Sequence, residues 1–389
     1  DGGPGARTLD SLARGLGGLL TAINQERDVI IFDYRGMGYS DPALTCPERA
    51  GAADDSWIAA CRAQVEAQGV DVTHFTTRDN AADAADIVRA LGYETYNIWG
   101  GSYGSSVAMT LLRDRPENIR AALVTALQPP QGDLQAATPV GIMRTLDDIS
   151  TLCQADAACA QVFPGDLTAQ LAAVVTRLEA APVAAPDAGG ELNSIDLLVA
   201  LSELLKDEMN IPVVPGLMAA LAGEQYDFVL PFANAATLPP DPLFPVGAWL
   251  SMRCTDSILA TTPEAMEAAL QTIDPAFHDP VMAIYALQVG WCEDWGARVP
   301  TEADRLPAVT DTPVLVISGA LDPFSSAEWL ASALETLPNG RGFMLPNHMH
   351  FVIQNPCAAG LLTGFIDDPT RELDPACLSQ VTQPVFRVE

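Results

Sequence analysis

Apolar residues in this chain come in short runs, separated by stretches where they recur at helical spacing. Val29–Phe32 (VIIF), Tyr96–Trp99, Ala121–Leu127, Pro313–Ser318 (PVLVIS) and Gly342–Leu345 are brief, and bounded closely by turn residues, so each reads as a buried strand. Leu9, Leu12, Leu16, Leu19 and Leu20 lie at helical spacing. Asn80 is placed to cap a helix reaching Leu91, with Gly92 as its stop, and Ser105–Leu112 is an apolar helical run ended by Asp114-Arg115-Pro116. Helix and strand alternate as far as Leu127, which predicts an α/β fold with a mainly parallel sheet and helices on both faces.

The alternation stops at Pro129-Pro130-Gln131-Gly132. From there to about Pro300 the pattern is helical, with segments such as Leu167–Leu178, Ile195–Lys206 and Pro263–Ile273. Pro/Gly-rich linkers join them, and Ala181–Gly190 (APVAAPDAGG) reads as a loose one. The sheet pattern resumes at Pro313. Residues 1–128 are therefore expected to form the first part of a core, 129–300 a helical cap inserted into it, and 301–389 the remainder.

Gly100-Gly101-Ser102-Tyr103-Gly104 is a G-x-S-x-G pentapeptide set between a strand and a helix. A serine on such a turn projects its hydroxyl above the sheet, beside backbone N–H groups that the helix leaves free. Ser102 is the candidate nucleophile. It needs a histidine base, and the imidazole needs a carboxylate, in the chain order Ser, Asp or Glu, His. Of His74, His278, His348 and His350, only the last two follow a strand late in the chain. His350 is favoured for its place at the far end of the loop, and His348 remains the alternative. Asp322, in Gly319-Ala320-Leu321-Asp322-Pro323 just beyond the PVLVIS strand, is the candidate acid. The oxyanion donors expected are the N–H groups of Tyr103 and of Gly3, in the turn Gly2-Gly3-Pro4-Gly5.

These residues resemble a known family. GGPG at 2–5, Asp33-Tyr34-Arg35-Gly36-Met37-Gly38-Tyr39-Ser40-Asp41-Pro42, Cys46-Pro47-Glu48, GGSYG at 100–104, GALDP at 319–323 and the Cys357 to Cys377 tail are similar to α/β-hydrolases of the proline iminopeptidase and tripeptidyl aminopeptidase group. The resemblance implies the α/β-hydrolase fold and an exported serine hydrolase that removes residues or short peptides from free N-termini. It assigns Ser102, Asp322 and His350 to the triad, and Gly3 with Tyr103 to the oxyanion hole. Met349 stands where the family has glycine before the catalytic histidine, and Tyr34 where it has glutamine. In the family the GGPG turn follows a third strand. The natural chain is accordingly expected to be longer, with a signal peptide and upstream strands.

The eight cysteines include no C-x-x-C or Cys/His cluster, so neither a metal site nor any cofactor is expected. Pairing of neighbours is expected instead: Cys46–Cys61, Cys153–Cys159, Cys254–Cys292 and Cys357–Cys377. Such pairing implies an oxidising compartment, hence a secreted or bacterial periplasmic protein. No apolar run approaches the ~18 residues of a membrane span. A net charge of −30, with Lys206 the only lysine, excludes nucleic acid and anionic membranes as partners. The same charge suits cationic or amino-terminal substrates by steering, and equally suits solubility in a salty habitat.

Acidic residues of the cap are candidates to hold a substrate ammonium. Asp256 and Glu293 (with Asp294) are singled out because a cystine would pin them, and Trp291 or Trp295 as apolar pocket walls. Asp33 and Arg35 read as a structural pair. Three functions fit: an aminopeptidase, a carboxylesterase or other small-molecule ester/amide hydrolase, and a catalytically silent binding protein on the same fold.

Overall fold

Four strands form one parallel sheet in the order β1-β2-β5-β6: β1 Tyr96–Gly101, β2 Ile119–Thr125, β5 Val314–Gly319 and β6 Gly340–Leu345. This computed structural model describes residues 2–10, 17–50, 52, 54–185, 190–230 and 243–388. Register runs Gly101 beside Thr125, Thr125 beside Ile317, and Gly319 beside Leu345. The carboxyl ends of β1, β5 and β6 therefore share one edge of the sheet.

Alternate residues of the central strands enter different cores, as a two-residue strand period requires. Ala122, Val124, Val314 and Val316 join the larger apolar cluster, with Val107 and Leu111 of the Tyr103–Asp114 helix. Ala121, Leu123, Leu315 and Ile317 meet Leu361, Leu362 and Phe365 of the Pro356–Asp367 helix on the opposite face. Burial on both faces explains why these strands read as continuous apolar runs.

Between β2 and β5 the chain is mostly helical, and its apolar packing divides it. Residues Ile142 to Val229 build most of a second core, which Phe277, Leu321, Met349 and Phe386 also enter, whereas Val246, Leu250, Met252, Trp291 and Trp295 join the larger cluster beside Trp57 and Ile58. The Ala181–Gly190 linker is not loose throughout. Val183–Ala185 (β3) and Gly190–Leu192 (β4) pair as an antiparallel hairpin whose Ala185 and Leu192 are buried; residues 186–189 lie outside the described residues.

Other boundaries shift. The Thr77–Ala90 helix is capped by Thr76, whose side chain accepts from the Asp79 N–H while the Asp79 carboxylate accepts from the Thr76 N–H. Asn80, expected as the cap, sits inside the helix and is fully buried. Val29–Phe32 joins no ladder among the described residues: Phe32 packs against the core while Ile30 is exposed. An apolar run reports side-chain burial, but a strand also needs a neighbour with free ladder groups. Leu19 and Leu20 lie in the Gly17–Ile23 helix; Leu12 and Leu16 fall outside the described residues.

Four cystines link Cys46–Cys61, Cys153–Cys159, Cys254–Cys292 and Cys357–Cys377, with Cα–Cα distances of 5.2, 5.2, 5.4 and 5.6 Å. Among the described residues no helix is long and apolar enough to cross a membrane.

Candidate active site

β1 delivers Ser102 onto a sharp turn, and the Tyr103–Asp114 helix begins at the next residue. Ser102 has φ 56° and ψ −126°, a conformation that costs a side-chain-bearing residue free energy and marks a site held by its surroundings. Close packing of strand and helix holds it. A Cβ on Gly100 would lie 2.0 Å from the Gly104 carbonyl oxygen, so only glycine lets the helix return so near the strand. The Ser102 N–H donates to the Thr125 carbonyl at 3.0 Å, and Ser105 Oγ donates to the Ser102 carbonyl at 2.5 Å.

Ser102 Oγ lies 2.7 Å from His350 Nε2, and His350 Nδ1 lies 2.8 Å from Asp322 Oδ2. With Asp322 accepting, Nδ1 carries the proton and Nε2 is free to accept from the serine hydroxyl. Asp322 is fully buried and its orientation is over-determined. Oδ1 accepts from the Phe324 N–H at 2.8 Å, and Oδ2 also accepts from Ser325 Oγ at 2.8 Å. Phe324 and Phe351 each set a ring edge-on to the imidazole, at 5.5 and 5.8 Å.

His348 does not reach Ser102. Its Nδ1 donates to the Pro346 carbonyl at 2.9 Å and its Nε2 accepts from Asn355 Nδ2 at 2.9 Å, so both ring nitrogens are occupied in fixing the loop. Met349 is fully buried and points into the core formed by Ile142 to Val229. A large residue is thus accommodated before His350 by turning away from the sheet.

Two backbone elements flank Ser102 as oxyanion candidates. Tyr103 is the first residue of its helix, so its N–H has no intrahelical acceptor. The GGPG turn packs over the serine, since a Cβ on Gly2 would lie 3.1 Å from Ser102 Oγ, and Gly3 follows with φ 112°.

A pocket of about 50 Å³ runs beside the helix that follows Ser102; Pro4 and Tyr103 reach it, while Ser102, Asp322 and His350 do not line it. Tyr103, Ser106 and Thr110 line it from one face of the helix that Ser102 begins; seven residues at 1.5 Å each span roughly 10 Å. Asp256 and Arg253 line it from the Val246–Asp256 helix. Asp256 Oδ2 accepts from Thr77 Oγ1 at 2.5 Å, and Thr77 Oγ1 lies 2.9 Å from the Tyr103 hydroxyl, which accepts from Asn80 Nδ2 at 2.9 Å. Thr77 has one hydroxyl proton; when Asp256 takes it, the Tyr103 hydroxyl donates to Thr77. Burial pushes the Asp256 carboxyl up to about 7, against the opposing pull of Thr77 and Arg298. Burial likewise raises the Tyr103 phenol well above its ordinary value.

Of the other expected substrate contacts, the structure brings none into this pocket. Glu293 and Asp294 are exposed on the outer face of the His278–Trp295 helix. Trp291 is buried in the core and donates Nε1 to Asp55 Oδ2 at 2.7 Å; Trp295 is fully buried and donates to Ser251 Oγ at 2.8 Å. Helical periodicity separates residues 292–295 onto different faces, which a shared cystine does not reveal. Asp33 and Arg35 are structural but not paired. Asp33 accepts from the Leu9 and Tyr39 N–H groups, while Arg35 clamps Asp83 through two bonds of 2.7 and 2.6 Å. Tyr34 packs edge-on to Tyr103 at 5.7 Å. Two arginines carry no sequence signal of their own: Arg144, whose Nη2 donates to the Asp322 and Ser325 carbonyls, and Arg253, which stands directly before Cys254. Among the described residues no group of three or more His, Cys, Asp or Glu could hold a metal ion.

Comparisons with known proteins agree in fold. The family profile described as "alpha/beta hydrolase fold" matches residues 2–157, and that described as "TAP-like protein" matches residues 279–377. No curated protein matches the chain. Solved structures similar to it include a serine hydrolase from the polyaromatic-hydrocarbon-degrading bacterium Cycloclasticus zankles, 15% identical, covering 95% of this chain and 88% of that one with a TM-score of 0.39. An esterase from Exiguobacterium antarcticum is 12% identical over 95% and 90% of the two chains, with a TM-score of 0.40. An epoxide hydrolase from an endophytic Streptomyces is 16% identical over 88% and 81%, with a TM-score of 0.34.

Proposed function

Because the chain is an α/β hydrolase with a TAP-like C-terminal region, we propose that it is an exported serine aminopeptidase releasing residues or short peptides from free N-termini. The observation that carries the hydrolytic chemistry is the unbroken relay from Ser102 Oγ through His350 to Asp322, at 2.7 and 2.8 Å. Ser102 attacks the substrate carbonyl, forming the Oγ–C bond while His350 Nε2 takes the serine proton. The oxyanion rests on the Tyr103 and Gly3 N–H groups. His350 then gives its proton to the leaving amine as the C–N bond breaks. Water attacks the acyl-enzyme by the same route, with Asp322 stabilising the imidazolium in both halves.

Asp256 supports the choice of a free amine. It is a carboxylate in a pocket that starts at the residue after the nucleophile, and a substrate ammonium there would meet an opposite charge in poorly hydrated surroundings. Residues 129–300 form the cap over the core in this reading. The four cystines support an extracellular or periplasmic site of action. An esterase is the second reading, favoured by the Phe324 and Phe351 rings beside the imidazole, which suit an apolar acyl chain.

Paired hydrolysis by wild type and Ser102→Ala of aminoacyl and tripeptidyl chromogenic amides, with free and blocked N-termini, beside a short-chain ester, decides among these. Serine-dependent cleavage of the free-amine amides alone is expected, with Ser102→Ala lower by about 10⁴-fold or more. Cleavage of the ester alone makes the protein an esterase, and activity unchanged in Ser102→Ala removes the nucleophile assignment.

A further inference from the structure

The pocket beside Ser102 holds a cation as well as an acid. Arg253 and Asp256 stand three residues apart on the Val246–Asp256 helix, and both line it. Of the other arginines that line it, Arg78 is paired with Asp114 and Arg305 donates Nη1 to the Ala260 carbonyl at 2.5 Å. Arg253 has no ion pair among the described residues. Its one hydrogen bond there runs from Nη2 to Gln135 Oε1 at 3.5 Å, and that glutamine is already anchored through Nε2 to Gln288 Oε1 at 2.6 Å. Burial lowers the Arg253 guanidinium to about 10, outweighing the opposing pull of the Asp256 and Glu203 carboxylates, neither of which forms an ion pair with it among the described residues. A guanidinium offers five donors in a planar fork matched to a carboxylate. Here that fork lines the same cavity as Tyr103, the residue after the candidate nucleophile.

We infer that Arg253 is a specificity-determining residue that binds a carboxylate on the substrate's acyl residue, so that the enzyme prefers amides of N-terminal acidic amino acids. The inference rests on the aminopeptidase reading: Asp256 takes the ammonium and Arg253 the side-chain carboxylate of one residue. Positive and negative charges on the same residue match a pocket that presents both signs without pairing them to each other. Long-range electrostatics oppose this preference, because the net charge of −30 repels anions. The selectivity is thus a short-range one that survives screening.

The test measures kcat/KM for α-glutamyl, glutaminyl and alanyl p-nitroanilides at about 0.15 M salt, where surface fields fade within ~8 Å. The wild type is expected to favour glutamyl over glutaminyl by about 10- to 100-fold, the worth of a charge-assisted hydrogen bond. Arg253→Gln should bring that ratio near one, and Arg253→Lys should leave an intermediate ratio. A ratio within one preparation is independent of how much of the variant folds, and the wild-type ratio alone needs no variant. Equal wild-type rates on the glutamyl and glutaminyl amides, or a preference that Arg253→Gln leaves intact, overturns the role of Arg253. If no amide with a free amine is cleaved, the aminopeptidase reading fails separately. The same ratio is then read on p-nitrophenyl esters with and without a terminal carboxylate, where a preference lost in Arg253→Gln supports the anion site and no preference refutes it.

Discussion

Replacing Asp256 by Asn tests whether the pocket holds a carboxyl that resists ionisation. The carboxyl sits at about 7 in the folded protein against an ordinary 3.8. A folded-state value raised above the unfolded one means that the neutral form is favoured by folding. The contribution is fully present below about pH 4, declines as pH rises, and is gone once pH passes about 7. At ~1.4 kcal/mol for each tenfold difference in proton affinity, the loss across this window reaches about 4 kcal/mol. That figure is a ceiling, since Asp256 faces a pocket that admits solvent. Asparagine keeps an oxygen to accept from Thr77 Oγ1 and does not titrate.

The stability difference, Asn variant minus wild type, should therefore grow by up to about 4 kcal/mol between pH 4 and pH 8, in favour of the variant. For a chain of this size, unfolding entropy scales to roughly 0.8 kcal/mol per kelvin, so the Tm difference should move by about 5 °C. Thermal unfolding followed by circular dichroism at pH 4.5, 6, 7 and 8 reads it directly, and every group common to both proteins cancels in the difference. A Tm difference independent of pH would show that Asp256 titrates as an ordinary carboxylate, and the description of its surroundings would be wrong.

Exchanging the two histidines separates base from scaffold. His350→Ala should lower kcat by at least 10³-fold, whereas His348→Ala should lower stability by about 1–2 kcal/mol through its two lost hydrogen bonds and keep most of kcat; parallel kinetics and melting check both. Replacing Cys254 and Cys292 by Ala opens a loop of 38 residues, for which chain entropy predicts a loss of about 4 kcal/mol, measurable by urea unfolding. Arg144→Met removes a clamp on the Asp322 loop, where Arg144 donates to the carbonyls of Asp322 and Ser325. It should lower kcat more than it changes KM, and displace the pH profile of kcat, which simple loss of fold would not do.

What the sequence made legible follows from how local each signal is. GGSYG and GALDP lie within a few residues of their strands, so β1 and β5 placed Ser102 and Asp322 without knowledge of the rest. His350 was separable from His348 only by loop geometry, because the choice depends on which ring faces β1 across the sheet. The Cys254–Cys292 cystine points to Glu293 as a pocket residue, but a cystine fixes a helix while leaving its rotation about its axis open. Asp256 shared that argument and lies in the pocket only because its helix turns that face toward Thr77. Asn80 is not the cap because the helix starts one turn earlier, at Thr76, so the N–H groups that Asn80 would have capped already bond within the helix.

No motif marks the contacts that join the helical stretch between β2 and β5 to the candidate triad, because they fall on main-chain carbonyls and on a glycine. Thr145 Oγ1 donates to the Leu321 carbonyl at 3.0 Å beside the two Arg144 bonds, and a Cβ on Gly141 would lie 2.0 Å from the Pro323 carbonyl oxygen. Farther along the same stretch, the Lys206 carbonyl accepts from the His350 N–H at 3.1 Å. The Asp322 and His350 loops are thus each bonded to this helical stretch as well as following the sheet. A segment that only covered the pocket could lift away and leave the triad whole. One that supplies hydrogen bonds to the Asp322 and His350 loops cannot, so displacing the Leu134–Ala155 helix would cost the relay its geometry. Substitutions at Gly141 or Thr145 would therefore act on the Asp322 loop through main-chain placement.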